Sequence, residues 1–211
     1  NNAGNNAESG ISLLFASGND IMNNTAEFNG KTGIGIIESS NNTLFNNSMK
    51  NNNIGLSMGG LFTLGPSSGN VIENNTIGAN IESGIEINDN TLVNLFRMLA
   101  MKPKISYSIT GNAIMANRLN NTKDLIVRGD GFKGNNITLN EFYGGGMNIS
   151  CSLGNVAYSN RYLNSANLII DCMTDADCDD GNSLTKDTCI NKACDGFCVN
   201  GIININGTIY D

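Results

Sequence analysis

Residues 33–49 read GIGIIESSNNTLFNNSM, and this stretch decides the fold. It opens on Gly33-Ile34-Gly35-Ile36, where apolar and small residues alternate as in a short strand with one buried face. It then runs through Asn41-Asn42-Thr43-Leu44 and Asn46-Asn47-Ser48-Met49, two copies of Asn-Asn-polar-apolar set five residues apart. Asn and Gly reach positive φ at little steric cost, so each pair marks a tight turn.

Outward from this stretch the same pattern returns. With Asn24, Asn47, Asn75, Asn117, Asn140 and Asn160 in one column, Asn19, Asn42, Asn70, Asn112, Asn135 and Asn155 stand five residues earlier. Gly or Asn precedes each of that second set: Gly18, Asn41, Gly69, Gly111, Gly134 and Gly154. Ile21, Leu44, Ile72, Ile114, Ile137 and Ala157 stand three before the anchor; Ala26, Met49, Ile77, Leu119, Phe142 and Tyr162 stand two after it. Asn supplies 39 of the 211 residues, but abundance alone does not fill two columns at fixed offsets. The anchors are separated by 23, 28, 42, 23 and 20 residues, a base period of 20 to 23 with two long intervals. A weaker column opens the coils at Gly10-Ile11, Gly33-Ile34, Gly55-Leu56 and Gly84-Ile85.

Short strands and a turn repeated at this period describe one rung of a β-solenoid. One rung cannot bury its own apolar face, whereas stacked rungs bury a continuous core. Stacking also places the Asn columns in line, where their amides can form hydrogen-bonded ladders. On these residues the chain resembles the right-handed parallel β-helix repeat families of surface and periplasmic proteins, over roughly residues 10–170. The resemblance implies an all-β fold of six to seven rungs. It leaves function open, because such families include carbohydrate-active enzymes, adhesins and structural solenoids.

Composition narrows the function classes. Charged residues are 15%, His and Trp are absent, and the formal net charge is -7. A helical bundle is excluded by the low charge, and nucleic acid is an unsuitable partner for want of clustered Lys and Arg. Without His there is no Ser-His-Asp triad and no His-ligated metal. No apolar run reaches the ~18 residues of a transmembrane helix. The chain begins at Asn1 rather than Met, which predicts a mature or excised piece of something longer.

Two insertions interrupt the rungs, near 61–69 and 88–108, within a solenoid domain spanning 1–170. The first contains Pro66 between Gly and Ser residues and reads as a loop. The second carries Leu92, Leu95, Phe96 and Leu99 at helical spacing, stopped by Pro103. Two readings stand: a short helix packed on its own flank, or an apolar element meeting another subunit.

Residues 171–211 form a separate cysteine-bearing segment. The six cysteines, Cys151, Cys172, Cys178, Cys189, Cys194 and Cys198, are expected to be oxidised in an extracellular or cell-surface setting. On Cys172, Cys178-Asp179-Asp180-Gly181-Asn182, Thr185, Asp187, Cys189 and Cys194 the segment resembles the cysteine repeat of slime-mould extracellular matrix proteins. It departs from that pattern at Leu184, so no disulfide pairing carries over. A rival reading takes Gly181–Cys189 as a seventh rung, with Gly201-Ile202-Ile203 opening the next strand. Asp175, Asp177, Asp179, Asp180 and Asp187 are candidate Ca²⁺ ligands, although the EF-hand spacing fails because Gly181 lies one residue too far on. The alternative is a solvated acidic loop.

Eight sequons occur, at Asn23, Asn41, Asn46, Asn74, Asn120, Asn136, Asn148 and Asn206; in a secreted protein these are glycosylation candidates. Acidic residues in the rungs are sparse, and no register column holds two in successive rungs, so no catalytic carboxylate pair is expected. Nor does the sequence show a stripe of Arg or Lys. Aromatics at Phe142, Tyr143, Tyr158 and Tyr162 offer a glycan platform, with Phe142 and Tyr162 reading better as core filling. The expected function is an extracellular structural subunit of a filament, sheath or matrix, without enzyme activity. It would self-associate head to tail, with glycans as further candidate partners. The alternatives are a glycan-binding adhesin and a carbohydrate-active enzyme.

Overall fold

Turns with positive φ divide the chain into rungs, and they fall where the Asn and Gly columns place them. Asn23, Asn46, Asn74, Ala116, Leu139 and Ser159 form one left-handed column, with φ between 53° and 59°. Gly18, Asn41, Gly69, Gly111 and Gly134 form another, at 56° to 71°. Each such residue bends the path sharply and starts a short strand. The computed structural model describes residues 1–59, 67–88, 109–128, 132–149, 155–163, 168–170, 185–190, 197–203 and 209–210.

The first rung carries β1 (Ile11–Leu14) and β2 (Asp20–Met22); the second carries β3 (Thr32–Ile37), β4 (Thr43–Phe45) and β5 (Ser48–Lys50). In the third lie β6 (Ile54–Gly59), β7 (Val71–Glu73) and β8 (Thr76–Gly78). The fourth adds a strand after its long insertion: β9 (Ser83–Asn88), β10 (Ile109–Thr110), β11 (Ala113–Met115) and β12 (Arg118–Asn120). The fifth repeats this with β13 (Leu125–Arg128), β14 (Phe132–Lys133), β15 (Asn136–Thr138) and β16 (Glu141–Phe142). The sixth carries β17 (Met147–Ile149), β18 (Val156–Tyr158) and β19 (Arg161–Tyr162), and β20 (Leu168–Ile170) opens a seventh.

Like strands stack into three long parallel sheets, β1-β3-β6-β9-β13-β17-β20, β2-β4-β7-β11-β15-β18 and β5-β8-β12-β16-β19, and a two-stranded parallel sheet, β10-β14. The product is an all-β, right-handed parallel β-helix. Ile21, Leu44, Ile72, Ile114 and Ile137 are successive register partners, as the sequence columns required. The inward columns are dry: Ile34, Ile36, Leu44, Met49, Leu56, Met58, Ile72, Ile77, Ile85 and Ile87 are fully buried. Phe142 fills the core and stacks on Tyr162 at 5.2 Å between ring centroids, so this pair is filling rather than platform.

The C-terminal strands depart from the solenoid. β21 (Thr185–Ile190) pairs antiparallel with β22 (Phe197–Ile203), which pairs antiparallel with β23 (Ile209–Tyr210). The seventh-rung reading of Gly181–Cys189 is therefore corrected. Only six residues connect β21 to β22, and a parallel crossover needs a dozen or more.

The buried asparagines close the corners. Asn42 donates both its backbone N–H and Nδ2 to Asn70 Oδ1, each at 3.0 Å, and Nδ2 also reaches the Ala16 carbonyl. The same geometry repeats from Asn19 to Asn155. A second ladder runs from Asn1 through Asn24, Asn47, Asn75, Asn117 and Asn140 to Asn160. These amides satisfy the backbone groups that the turns remove from the sheets, which would otherwise be buried without partners. Two further series were not read from the sequence. Asn6, Asn29, Asn52, Asn80 and Asn121 form a third ladder. Ala16, Ser39 and Ser67 form a short series of N–H to Oγ bonds.

Candidate functional site

The third ladder ends on a carboxylate. Asn121 donates its backbone N–H to Asp124 Oδ1 at 2.7 Å and its Nδ2 to the same oxygen at 3.3 Å. Asp124 Oδ2 accepts the N–H groups of Gly144 and Gly146 at 3.1 and 3.0 Å. Asp124 is fully buried and stands in the column otherwise held by Gly10, Gly33, Gly55 and Gly84. The next rung cannot supply an Asn there. A Cβ at Gly144 would collide with the Asn121 carbonyl oxygen, and one at Gly145 with the Thr122 carbonyl oxygen. This carboxylate is thus committed to structure, with four donors around it.

Chemistry that faces solvent concentrates on the outside of the five-stranded sheet. Its register aligns Ser48, Thr76, Arg118, Glu141 and Arg161 in one outward column. Arg118 Nε lies 3.2 Å from Glu141 Oε2, and Arg161 Nη1 lies 2.8 Å from Glu141 Oε1. Tyr143 bridges the group: its hydroxyl donates to Glu141 Oε2 at 2.9 Å and accepts from Arg118 Nη2 at 2.8 Å. The Arg118 guanidinium also sits over the Tyr143 ring, 5.1 Å from its centroid. The hydrogen bond to Tyr143, and then the nearby Glu141 carboxylate, raise the Arg118 pKa above its ordinary value. The sequence showed no basic stripe because Arg118 and Arg161 are 43 residues apart; the register brings them within two rungs, around one Glu.

Beside this group lies a cleft of about 370 Å³, lined by Lys50, Thr76, Gly78, Arg118, Asn120 and Tyr143 among others. Lys50, Gly78 and Asn120 are register partners across three rungs, so the missing side chain of Gly78 makes the floor. Lys50 is half-buried and has no ion-pair partner among the described residues.

The other candidate residues are placed as follows. Asn23, Asn41, Asn46, Asn74, Asn120 and Asn148 are exposed, Asn136 is half-buried, and Asn206 lies outside the described residues. The sequons at 23, 46 and 74 follow from the fold. A left-handed Asn, a ladder Asn and a Ser or Thr opening the next strand spell Asn-Asn-Ser/Thr. Cys189 and Cys198 face each other in the β21–β22 register; Cys151, Cys172, Cys178 and Cys194 lie outside the described residues. Asp187 is on β21 opposite Asn200, and Asp175, Asp177, Asp179 and Asp180 lie outside the described residues, as do Leu92, Leu95, Phe96 and Leu99. Among the described residues no group of three His, Cys, Asp or Glu is arranged for a metal, and no helix is long and apolar enough to cross a membrane.

Residues 1–99 match the family model described as right handed beta helix region. That match covers the first three rungs and β9, whose register it accompanies. No curated protein and no solved structure gave a match to the chain.

Proposed function

We propose that this chain is an extracellular structural protein: a secreted, glycosylated β-solenoid subunit of a cell-surface filament, sheath or matrix. The observation that carries the reading is the set of three buried amide ladders along the solenoid. A buried, fully paired polar network rigidifies the fold and specifies one packing. The two ladders that end on Asn155 and Asn160 are also directional. Asn donors point to the following rung and Oδ1 to the preceding one, so copies would continue the pattern only head to tail. Exposed sequon asparagines on several faces suit a glycosylated surface element. The apolar insert at 88–108, through Leu92, Leu95, Phe96 and Leu99, is the proposed lateral contact. The cysteine segment is proposed as an oxidised clamp of the extracellular matrix type.

Electron microscopy and sedimentation of the full chain, beside a Leu95→Ser, Phe96→Ser, Leu99→Ser variant, test this. Filaments that disappear in a variant of unchanged thermal stability are the expected result. A monomer at every concentration, with a variant that melts earlier, would overturn the proposal.

A further inference from the structure

The hairpin of β21 and β22 sets two cysteines against each other. Its antiparallel register pairs Thr185 with Ile202, Asp187 with Asn200 and Cys189 with Cys198. Residues directly opposite in an antiparallel pair share one face of the sheet, with Cα atoms about 4.5 or 5.5 Å apart. A disulfide spans Cα separations of about 4.4 to 6.8 Å, so this placement meets its demand without moving the backbone. The register also sorts the strands by polarity. Asp187, Asn200 and both cysteines fall on one face, and Ile190, Phe197 and Val199 on the other. A slip of one residue would set Cys189 against Phe197 or Val199 and exchange the faces of one strand.

We propose that Cys189 and Cys198 form a cross-strand disulfide that fixes the register of the C-terminal hairpin. It rests on the extracellular reading above, since disulfides persist in oxidising surroundings, and it gives the cysteine segment one definite bond. The oxidant is a low-molecular-weight disulfide. One cysteine thiolate attacks it and releases a first small thiol, leaving a mixed disulfide. The second thiolate then attacks the protein sulfur of that bond and releases the other small thiol. Two protein thiols are oxidised, one small disulfide is reduced to two thiols, and the two protons end on those thiols. β22 also lies against β20, the last strand of the seven-stranded sheet, so the bond holds the hairpin's two faces in place beside the solenoid. The rival partner is Cys194, in the connection between the two strands.

Disulfide mapping of the full chain decides it. The reduced chain is refolded in a buffer of glutathione and glutathione disulfide, and free thiols are blocked with iodoacetamide. Trypsin cuts after Lys186 and Lys192 and releases Cys189 on its own fragment; a protease that cuts before Asp195 separates Cys194 from Cys198. Mass spectrometry should find the Cys189 fragment joined to the Cys198 fragment, and the two should part on reduction. An alkylated Cys189 or Cys198, or either one joined to Cys194 or to another cysteine, would overturn the pairing. The oxidant is supplied, so this result does not depend on the compartment, and the filament reading stands or falls separately by microscopy. Hydrogen exchange tests what the bond does. In a Cys189→Ser, Cys198→Ser variant the amides of β21 and β22 should exchange about tenfold faster or more, with those of β3, β6 and β9 unchanged. Parent-like exchange in that hairpin would overturn the register role. If the variant fails to fold, mapping of the parent alone carries the test.

Discussion

Two of the buried ladders keep one chemistry from end to end, whereas the third changes it. Between Asn19 and Asn155, every contact is one Asn amide on the next. Between Asn6 and Asn121 the same rule holds, and then Asp124 takes over. The cause is local. The backbone of Gly144–Gly145 passes too close to Asn121 and Thr122 for any side chain, so the acceptor comes from the glycine column of the rung below. The repeat is therefore preserved as a pattern of satisfied donors rather than as a pattern of residues. Asp suits the exception because it accepts with both oxygens, and here all four surrounding groups are donors.

The largest effect should come from the exception. Asp124→Ala removes the acceptor of four N–H groups at once, and we expect a loss on the order of 4 kcal/mol in denaturant unfolding. In the regular part, Asn75→Ala removes the acceptor of Asn47 and the donor to the Leu44 carbonyl. A smaller cost, ~2 to 3 kcal/mol, should follow. Equal losses in the two variants would break the comparison, since they would make the Asp124 site an ordinary rung. The smallest effect should be a gain. Leu139 sits 60% exposed at φ 59° in a turn column where Asn23, Asn46 and Asn74 stand in earlier rungs. Leu139→Asn should raise stability by roughly 1 kcal/mol, seen as a higher melting temperature, because Asn tolerates the left-handed region better than Leu.

Much of this architecture could be read beforehand. Two Asn columns and the apolar columns lie at constant offsets, so the rungs, their order and their inward residues were legible. The third ladder left a trace as well, since Asn29, Asn52 and Asn80 each follow an anchor Asn by five residues. It is masked in the sequence because Asn121 follows its anchor by four, and because the last member is an Asp in a glycine column. The cleft left no trace of that kind. Lys50 and Tyr143, with Gly78 and Asn120 between them, lie 93 positions apart across two unequal insertions.

The sequence by itself determined the solenoid, because a periodic demand for buried apolar groups and left-handed turns has one economical solution, repeated stacking. Only the tertiary structure decided which outward residues share a column. Register across rungs of 23, 28, 42 and 20 residues depends on how much chain each insertion absorbs, and that length is invisible to periodicity. The Arg118–Glu141–Arg161 group, the Asp124 terminus and the Gly78 cleft all come from that alignment. Outward side chains make no contribution to the core that fixes the period, so nothing in the repeat foretells them.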